Sequence, residues 1–390
     1  MADAHSTAQA RRRIAIEALG RELNSDPTSA SGALASMLSQ SRPMMVSADI
    51  DGLVSAAMLG SVAPNYEVVA FSVASAQWLV HPSLASVVPD DLFGVDLFSV
   101  QHDNVSNHIV QWGQRKLQVP EVLTALKEWD QLIDQAASER LMAVPSLWAK
   151  TQAGYEDATK ADSAAYKYPF GTAQILLAML EVTNNAPKFF DRTYLPWLVA
   201  NCDGGVSTYA KYANNARIWW PVMAGAVGPG SLTEQVFRLV DTMRPHDFLD
   251  AVHRLERERQ ASGEARRLND KWNLASVTRE GLQNTLRWLT ELTGWRDCVR
   301  GGLEGLEDWK ILPLSGSAQI YYGGSTPSDK AFAANPHWVK VKDDPAKAAQ
   351  LIGAAETALN ANFYVGGQSG SRFNWVGPWE TTPLENAGLW

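Results

Sequence analysis

Two kinds of apolar run recur along this chain. Short, nearly continuous ones stop at an acid or a glycine, and longer ones repeat their apolar residues at helical spacing. Met44, Met45 and Val46 form the first short run, which ends at Asp49 and Asp51, spaced i, i+2, and then Gly52. The pattern predicts a buried strand, a tight acidic turn, and a helix packed on a sheet from Leu53 to Leu59. Tyr66–Val73 (YEVVAFSV) is the second predicted strand and 91–97 (DLFGVDL) the third, ending in Asp96. Residues 104–110 predict a further strand or strand end carrying His108. The link from Asp96 to His108 is too short for a helical crossover, an irregularity in a chain that otherwise predicts parallel strands joined through helices.

The longer runs predict helices over 8–24 and 29–40, and an amphipathic helix over 121–140. Residues 151–168 are polar and read as a loop. KYPFGTAQILLAMLEV then begins a long apolar helix after Pro169 and Gly171, with Thr172 near its start. The apolar LPWLVA at 195–200 breaks at Asn201, Cys202, Asp203, Gly204 and Gly205, a third predicted strand end closed by an acid and glycine. From 231 to 300 the period is helical, and the mixed charges of HRLERERQASGEARRLNDKW suit a solvated connector better than a nucleic-acid-binding arm. Strands predicted over 311–324 and 362–367, with a helix at 345–360, suffice for a second, small α/β domain. The expected organisation is an α/β chain: N-terminal helices over 1–42, a parallel sheet with flanking helices over 43–225, a helical connector over 226–308, and the small domain over 309–390.

Length changes the picture only in favouring two domains, since 390 residues exceed what one ordinary core holds. With 46% apolar and 19% charged residues and no uninterrupted apolar run of membrane-spanning length, a soluble chain without membrane partners is expected. Arg11, Arg12 and Arg13 precede a mixed segment with Glu17 and Glu22 that lacks the apolar core of a secretory signal, so a cytoplasmic protein is expected. Cys202 and Cys298 are too few for a disulfide scaffold, in keeping with a reducing compartment. A net charge of −8 argues against broad adhesion to nucleic acid and leaves room for a local basic groove. Most of the 15 Trp are accounted for by core packing, with a few available to stack on bases. An oligomer stays open.

Candidate chemistry centres on the acids. Two carboxylates as close as Asp49 and Asp51 repel each other, and a hard divalent cation such as Mg²⁺ or Mn²⁺ relieves the repulsion through oxygen ligands. The structural alternative is an Asp that caps the following helix and a second that is merely solvated. Asp49, Asp51, Asp96, His108 and Asp203 all fall at predicted strand ends, the edge of an α/β sheet where ligands bind. His81, His246, His253 and His337 read as surface or packing residues, and Cys202 as a small buried one.

In these stretches the chain resembles the DHH phosphoesterase superfamily, which includes RecJ-type exonucleases, oligoribonucleases, cyclic dinucleotide phosphodiesterases and manganese pyrophosphatases. SADIDGLVSAAML resembles the family's first motif, VDLFS the second and LPWLVANCDGG the fourth, so the likeness covers about 43–210. It implies a two-domain plan and a metal-dependent hydrolase acting on phosphodiester bonds of nucleotides or short single-stranded nucleic acid by in-line displacement. Mn²⁺ or Mg²⁺ would be held by Asp51, Asp96, His108 and Asp203, with Asp49 and Asp96 as a weaker second site. GGQSGSR at 366–372 is similar in placement to the family's glycine-rich substrate motif, which implies phosphate binding by Gly366, Gly367, Ser369 and Arg372. Phe373 and Trp375 beside Arg372 suit base stacking; an ordinary turn accounts for the glycines equally well.

The chain also departs from the family. Met45 and Ser47 stand where a His or Asp commonly precedes the aspartate pair, and Gln368 stands where a His is frequent. The Asp-His-His itself becomes Asn107-His108-Ile109 in one alignment and Gln101-His102-Asp103 in another, leaving His108 or His102 as the surviving ligand. The missing second His would help hold the scissile phosphate. Two alternatives follow: a DHH-like fold that binds a nucleotide or a protein partner without turnover, and a haloacid-dehalogenase-type phosphatase with Asp49 as nucleophile and Asp51 as acid or base. The second is weakened by Leu53 after the glycine and by the long stretch ahead of the motif.

Overall fold

The computed structural model describes residues 30–73, 77–84, 91–107, 119–144, 170–188, 198–200, 202–203, 220–242, 279–313, 316–321, 328–333, 338–359, 365–368 and 372–377. The expected helix at 8–24, the polar stretch 151–168, the charged centre of the connector, His108 and Ser369 lie outside the described residues.

The chain is α/β, with a mostly parallel seven-stranded sheet. Helix α1 (Ala30–Met37) leads into β1 (Arg42–Ser47), α2 (Ile50–Val62), β2 (Tyr66–Val73), β3 (Gln77–Val80), β4 (Phe93–Val95) and β5 (Asn104–Val105). Then come α3 (Pro120–Glu139), β6 (Met142–Ala143), α4 (Thr172–Val182), α5 (Leu232–Thr242), α6 (Arg279–Thr293) and β7 (Lys310–Pro313). The strand order is β6-β5-β4-β1-β2-β3-β7. Strands β6, β5, β4, β1 and β2 are parallel; β3 pairs antiparallel with β2, and β7 pairs antiparallel with β3 and so runs with the parallel set. Both faces of β1 are covered: Met44 and Val46 join one apolar cluster and Met45 another, the alternation that a pleated strand imposes. Helix α2 is buried through most of its length, and its small residues allow close contact; a Cβ on Gly60 would come within 2.6 Å of the Cys298 Cβ. Trp78, Trp129 and Trp220 are fully buried.

The chain leaves β1 toward β2 on one side and later returns to β4 on the other. The order therefore reverses beside β1, and in open α/β sheets the carboxyl ends of the strands at such a reversal are where ligands bind. The short link between β4 and β5 is the predicted irregularity: the strands are parallel, yet residues 96–103 join them without a helix. It is closed by Gly94 N–H donating to the Asp103 carbonyl and Asp96 N–H to the Val105 carbonyl, at 2.9 and 2.8 Å.

A second sheet has the order β10-β11-β8-β9, from β8 (Gly316–Tyr321), β9 (Trp338–Lys340), β10 (Val365–Gln368) and β11 (Arg372–Gly377), with α7 (Asp329–Ala333) and α8 (Pro345–Leu359). Ala318, Ile320, Val339, Ala348, Leu351 and Ile352 from this part share one apolar cluster with Val122, Leu126, Trp129 and Ile133 of α3. The stretch 311–324, expected as a single strand of the small domain, is instead split between the sheets: β7 pairs with β3 of the large sheet and β8 pairs within the second. The exposed edge of β3 accounts for this, because an unpaired edge is satisfied by any strand that reaches it. Residues 198–200, expected to close a strand, are helical, so Asp203 follows a helical turn. Among the described residues no helix is long and apolar enough to cross a membrane.

Candidate acidic site at the strand-order reversal

Ser47 closes β1, and the chain turns through Ala48, whose N–H is held by the Ser72 carbonyl of β2 at 2.9 Å. Asp49 then caps α2: its Oδ1 accepts the Gly52 N–H at 3.0 Å and its Oδ2 the Ser47 hydroxyl at 2.9 Å. Gly52 is required, since a Cβ there would collide with the Ser47 carbonyl. The capping alternative raised for the pair thus describes Asp49.

Asp51, one residue into α2, is 1% exposed and is not solvated. Its carboxylate lies across the start of α4, where Oδ2 accepts the Thr172 N–H and Oδ1 the Ala173 N–H, both at 2.8 Å. The Asn107 amide stands 3.4 Å from Oδ2. Two N–H groups that a helix start leaves without intrahelical partners are thereby satisfied by a carboxylate from another helix. Asp96, just after β4, is 2% exposed and has φ of 54°, the left-handed region that Asp tolerates better than most residues. Its Oδ1 accepts the Thr172 hydroxyl at 2.6 Å, and that hydroxyl accepts the Asn107 N–H at 2.9 Å.

Gly171 brings in the fourth acid. Its missing side chain leaves room for the Asp203 backbone carbonyl, which a Cβ would overlap, and for Asp51 Oδ2, which would lie 2.9 Å from it. Buried Gln174 fixes this approach by accepting the Gly171 N–H and donating to the Val199 carbonyl at 2.9 Å.

The charges of Asp49 and Asp203 reach both Asp51 and Asp96. Burial, then the charges of Asp203 and Asp49, pushes Asp51 well above the usual carboxylate range, against the opposing pull of the Ala173 and Thr172 N–H bonds. Burial also raises Asp96, followed by the charges of Asp49 and Asp51, with the Thr172 hydroxyl opposing. The Cys202 thiol is pushed well up by burial and then by the four acids, which removes it as a nucleophile.

Four of the five predicted acid and histidine ligands lie near enough for the charges of Asp49 and Asp203 to reach Asp51 and Asp96; His108 lies outside the described residues. His102, the other candidate, is buried in the 96–103 link, where its carbonyl accepts the Asn104 amide at 2.9 Å. Gly366, Gly367 and Arg372 lie in the second sheet, in a hairpin that pairs Gly366 with Trp375 and Gly367 with Asn374, so this part of the glycine-rich motif is strand. Sequence reasoning missed the parts played by Thr172, Ala173, Gly171 and Asn107. A glycine and a threonine at the head of an apolar helix were the available signal, and they read as an ordinary helix start.

The donor types suit a hard divalent cation: like-charged carboxylate oxygens, two of them buried on Asp51 and Asp96, one half-buried on Asp49 and one exposed on Asp203. Among the described residues, no three His, Cys, Asp or Glu side chains are drawn together as metal ligands are. Compared with family models, curated proteins and solved structures, the chain matches none of them.

Proposed function

We propose that this chain is a metal-dependent phosphoesterase that hydrolyses phosphodiester bonds in nucleotides or short single-stranded nucleic acid. One observation carries the reading: acids from separate stretches, Asp49 and Asp51 after β1 and Asp96 after β4, meet Asp203 where the strand order reverses. Asp51 and Asp96, buried and within reach of the charges of Asp49 and Asp203, are costly to keep for packing alone. Asp49, Asp51, Asp96, Asp203 and His108 are the groups proposed to hold Mn²⁺ or Mg²⁺, which when bound lowers the pKa of a water and neutralises phosphoryl oxygens. The chain's own contribution is orientation. Ser47 and the Gly52 N–H fix Asp49, the start of α4 fixes Asp51, and Thr172 fixes Asp96. Gly366, Gly367, Ser369 and Arg372 are the proposed phosphate-binding groups, and the expected setting is the cytoplasm.

A second reading, nucleotide binding without turnover, is favoured by one feature: both Asp51 oxygens already accept helix N–H bonds, and the neighbour at Asn107 is a neutral amide. The test incubates the protein with Mn²⁺ and a panel of oligonucleotides, linear and cyclic dinucleotides and pyrophosphate, beside Asp96→Ala. Hydrolysis by the wild type that Asp96→Ala loses is expected. Nucleotide binding by both proteins with no product from any substrate would leave the second reading standing. Melting in EDTA against excess Mn²⁺ gives an independent check, since a cation at 100 times its Kd adds about 2.7 kcal/mol to the native state.

A further inference from the structure

Thr172 makes two different bonds to two different acids. Its backbone N–H donates to Asp51 Oδ2 at 2.8 Å, and its hydroxyl lies 2.6 Å from Asp96 Oδ1. The hydroxyl donates to Asp96 Oδ1, and the same oxygen accepts the Asn107 N–H at 2.9 Å, so both of its hydrogen-bonding roles are in use. Thr172 is fully buried, and no solvent competes for these bonds. Asp51 stands on α2 and Asp96 on the link after β4, so this one residue spans elements that are otherwise separate in the chain.

We infer that Thr172 is the positioning residue of the acidic site: it holds Asp51 through its backbone N–H and Asp96 through its hydroxyl, and so sets the spacing and orientation of the two acids. The inference rests on the metal-dependent reading above. A hydroxyl bonded to a ligating carboxylate orients that ligand, and its loss lowers metal affinity by roughly 10- to 100-fold. Valine keeps the shape of threonine and removes the hydroxyl. Serine restores the hydroxyl and removes only a methyl group.

Mn²⁺ affinity and stoichiometry are measured by electron paramagnetic resonance on the full chain for wild type, Thr172→Ser, Thr172→Val and Thr172→Ala, with a thermal melt of each in EDTA. Alanine keeps the test decisive if valine does not fold, because it leaves space at the hydroxyl position. The expected result is wild-type binding, a serine variant within about threefold of it, and valine and alanine variants weaker by roughly 10- to 100-fold. Equal Mn²⁺ affinity in all four, with lower melting temperatures for valine and alanine, would reduce Thr172 to a packing role and overturn the inference while the metal-dependent reading stands. Absence of Mn²⁺ binding by the wild type would overturn that reading and the inference together.

Discussion

Asp51 and Glu181 each lay a carboxylate across the start of a helix, at opposite ends of α4. Asp51 accepts the first N–H groups of α4 itself. Glu181, in the last turn of α4, accepts the Leu232 N–H at 2.6 Å, the Thr233 N–H at 2.9 Å and the Thr233 hydroxyl at 2.6 Å, where α5 begins. Both bonds have the same physics, a negative group against the partial positive charge of a helix start. Their surroundings differ. Glu181 is half-buried and its bonds account for it, whereas Asp51 is fully buried and raised by Asp203 and Asp49 as well as by burial. Capping a helix needs one carboxylate. The additional acids around Asp51 are therefore what set that end of α4 apart.

The strongest way to break the comparison is Gly171→Ala, which puts a methyl group into the Asp203 carbonyl and against Asp51. A loss of about 3 kcal/mol or more in urea unfolding is expected, the upper range for overpacking. Wild-type stability would mean that Asp203 does not approach α4 as described.

Next in size is the pH response. Asp51 and Asp96 hold their protons to higher pH in the folded chain than in the unfolded one, so the native state binds more protons above the ordinary value of 3.8. Unfolding free energy should fall as pH climbs from about 4 through the raised values, by up to about 1.4 kcal/mol per pH unit for each acid. Denaturant midpoints across that range in EDTA measure this fall, and saturating Mn²⁺ should flatten it. A midpoint that rises with pH in EDTA would contradict the crowding of the acids.

Glu181→Ala sharpens the contrast from the other side. Removing the α5 cap should cost about 1 to 2 kcal/mol and leave the Mn²⁺ shift in melting temperature unchanged. A lost Mn²⁺ response would join the two ends of α4 into one functional unit. The smallest effect belongs to Asp49→Ala, about 1 kcal/mol in EDTA for the loss of the α2 cap, read from the same melts. No change there would remove the capping role from Asp49.

Much of the large sheet was legible because its signals are local. YEVVAFSV became β2 over its full length, and the amphipathic run near 121–140 became α3 within a residue at each end. The acids after Val46 and Val95 stand beyond strands as expected. What escaped depends on partners far away in sequence. Asp51 caps a helix 121 residues further on, and no local pattern announces such a bond. The turn at Asp96 has a positive φ without a glycine to signal it. LPWLVA read as a strand because a short apolar run has the same composition in either state, and its last residues are helical. Residues 311–324 read as one strand, since hydrophobicity shows that a segment pairs and does not show with which sheet.

Strand β7 also bears on how the chain is made. It pairs Lys310–Pro313 with β3, and Arg296 just before it donates to the carbonyls of Gly60, Pro64 and Tyr66, the last across 230 residues. A chain growing at roughly 5 to 20 residues per second would leave β2 and β3 waiting about 10 to 45 s for these partners. During that interval the edge of β3 stands open, its backbone without the strand partner that Lys310–Pro313 supplies in the finished fold. Separating the first sheet from Lys310–Pro313, by truncation or by expression in two pieces, would make that transient edge permanent and favour aggregation over folding.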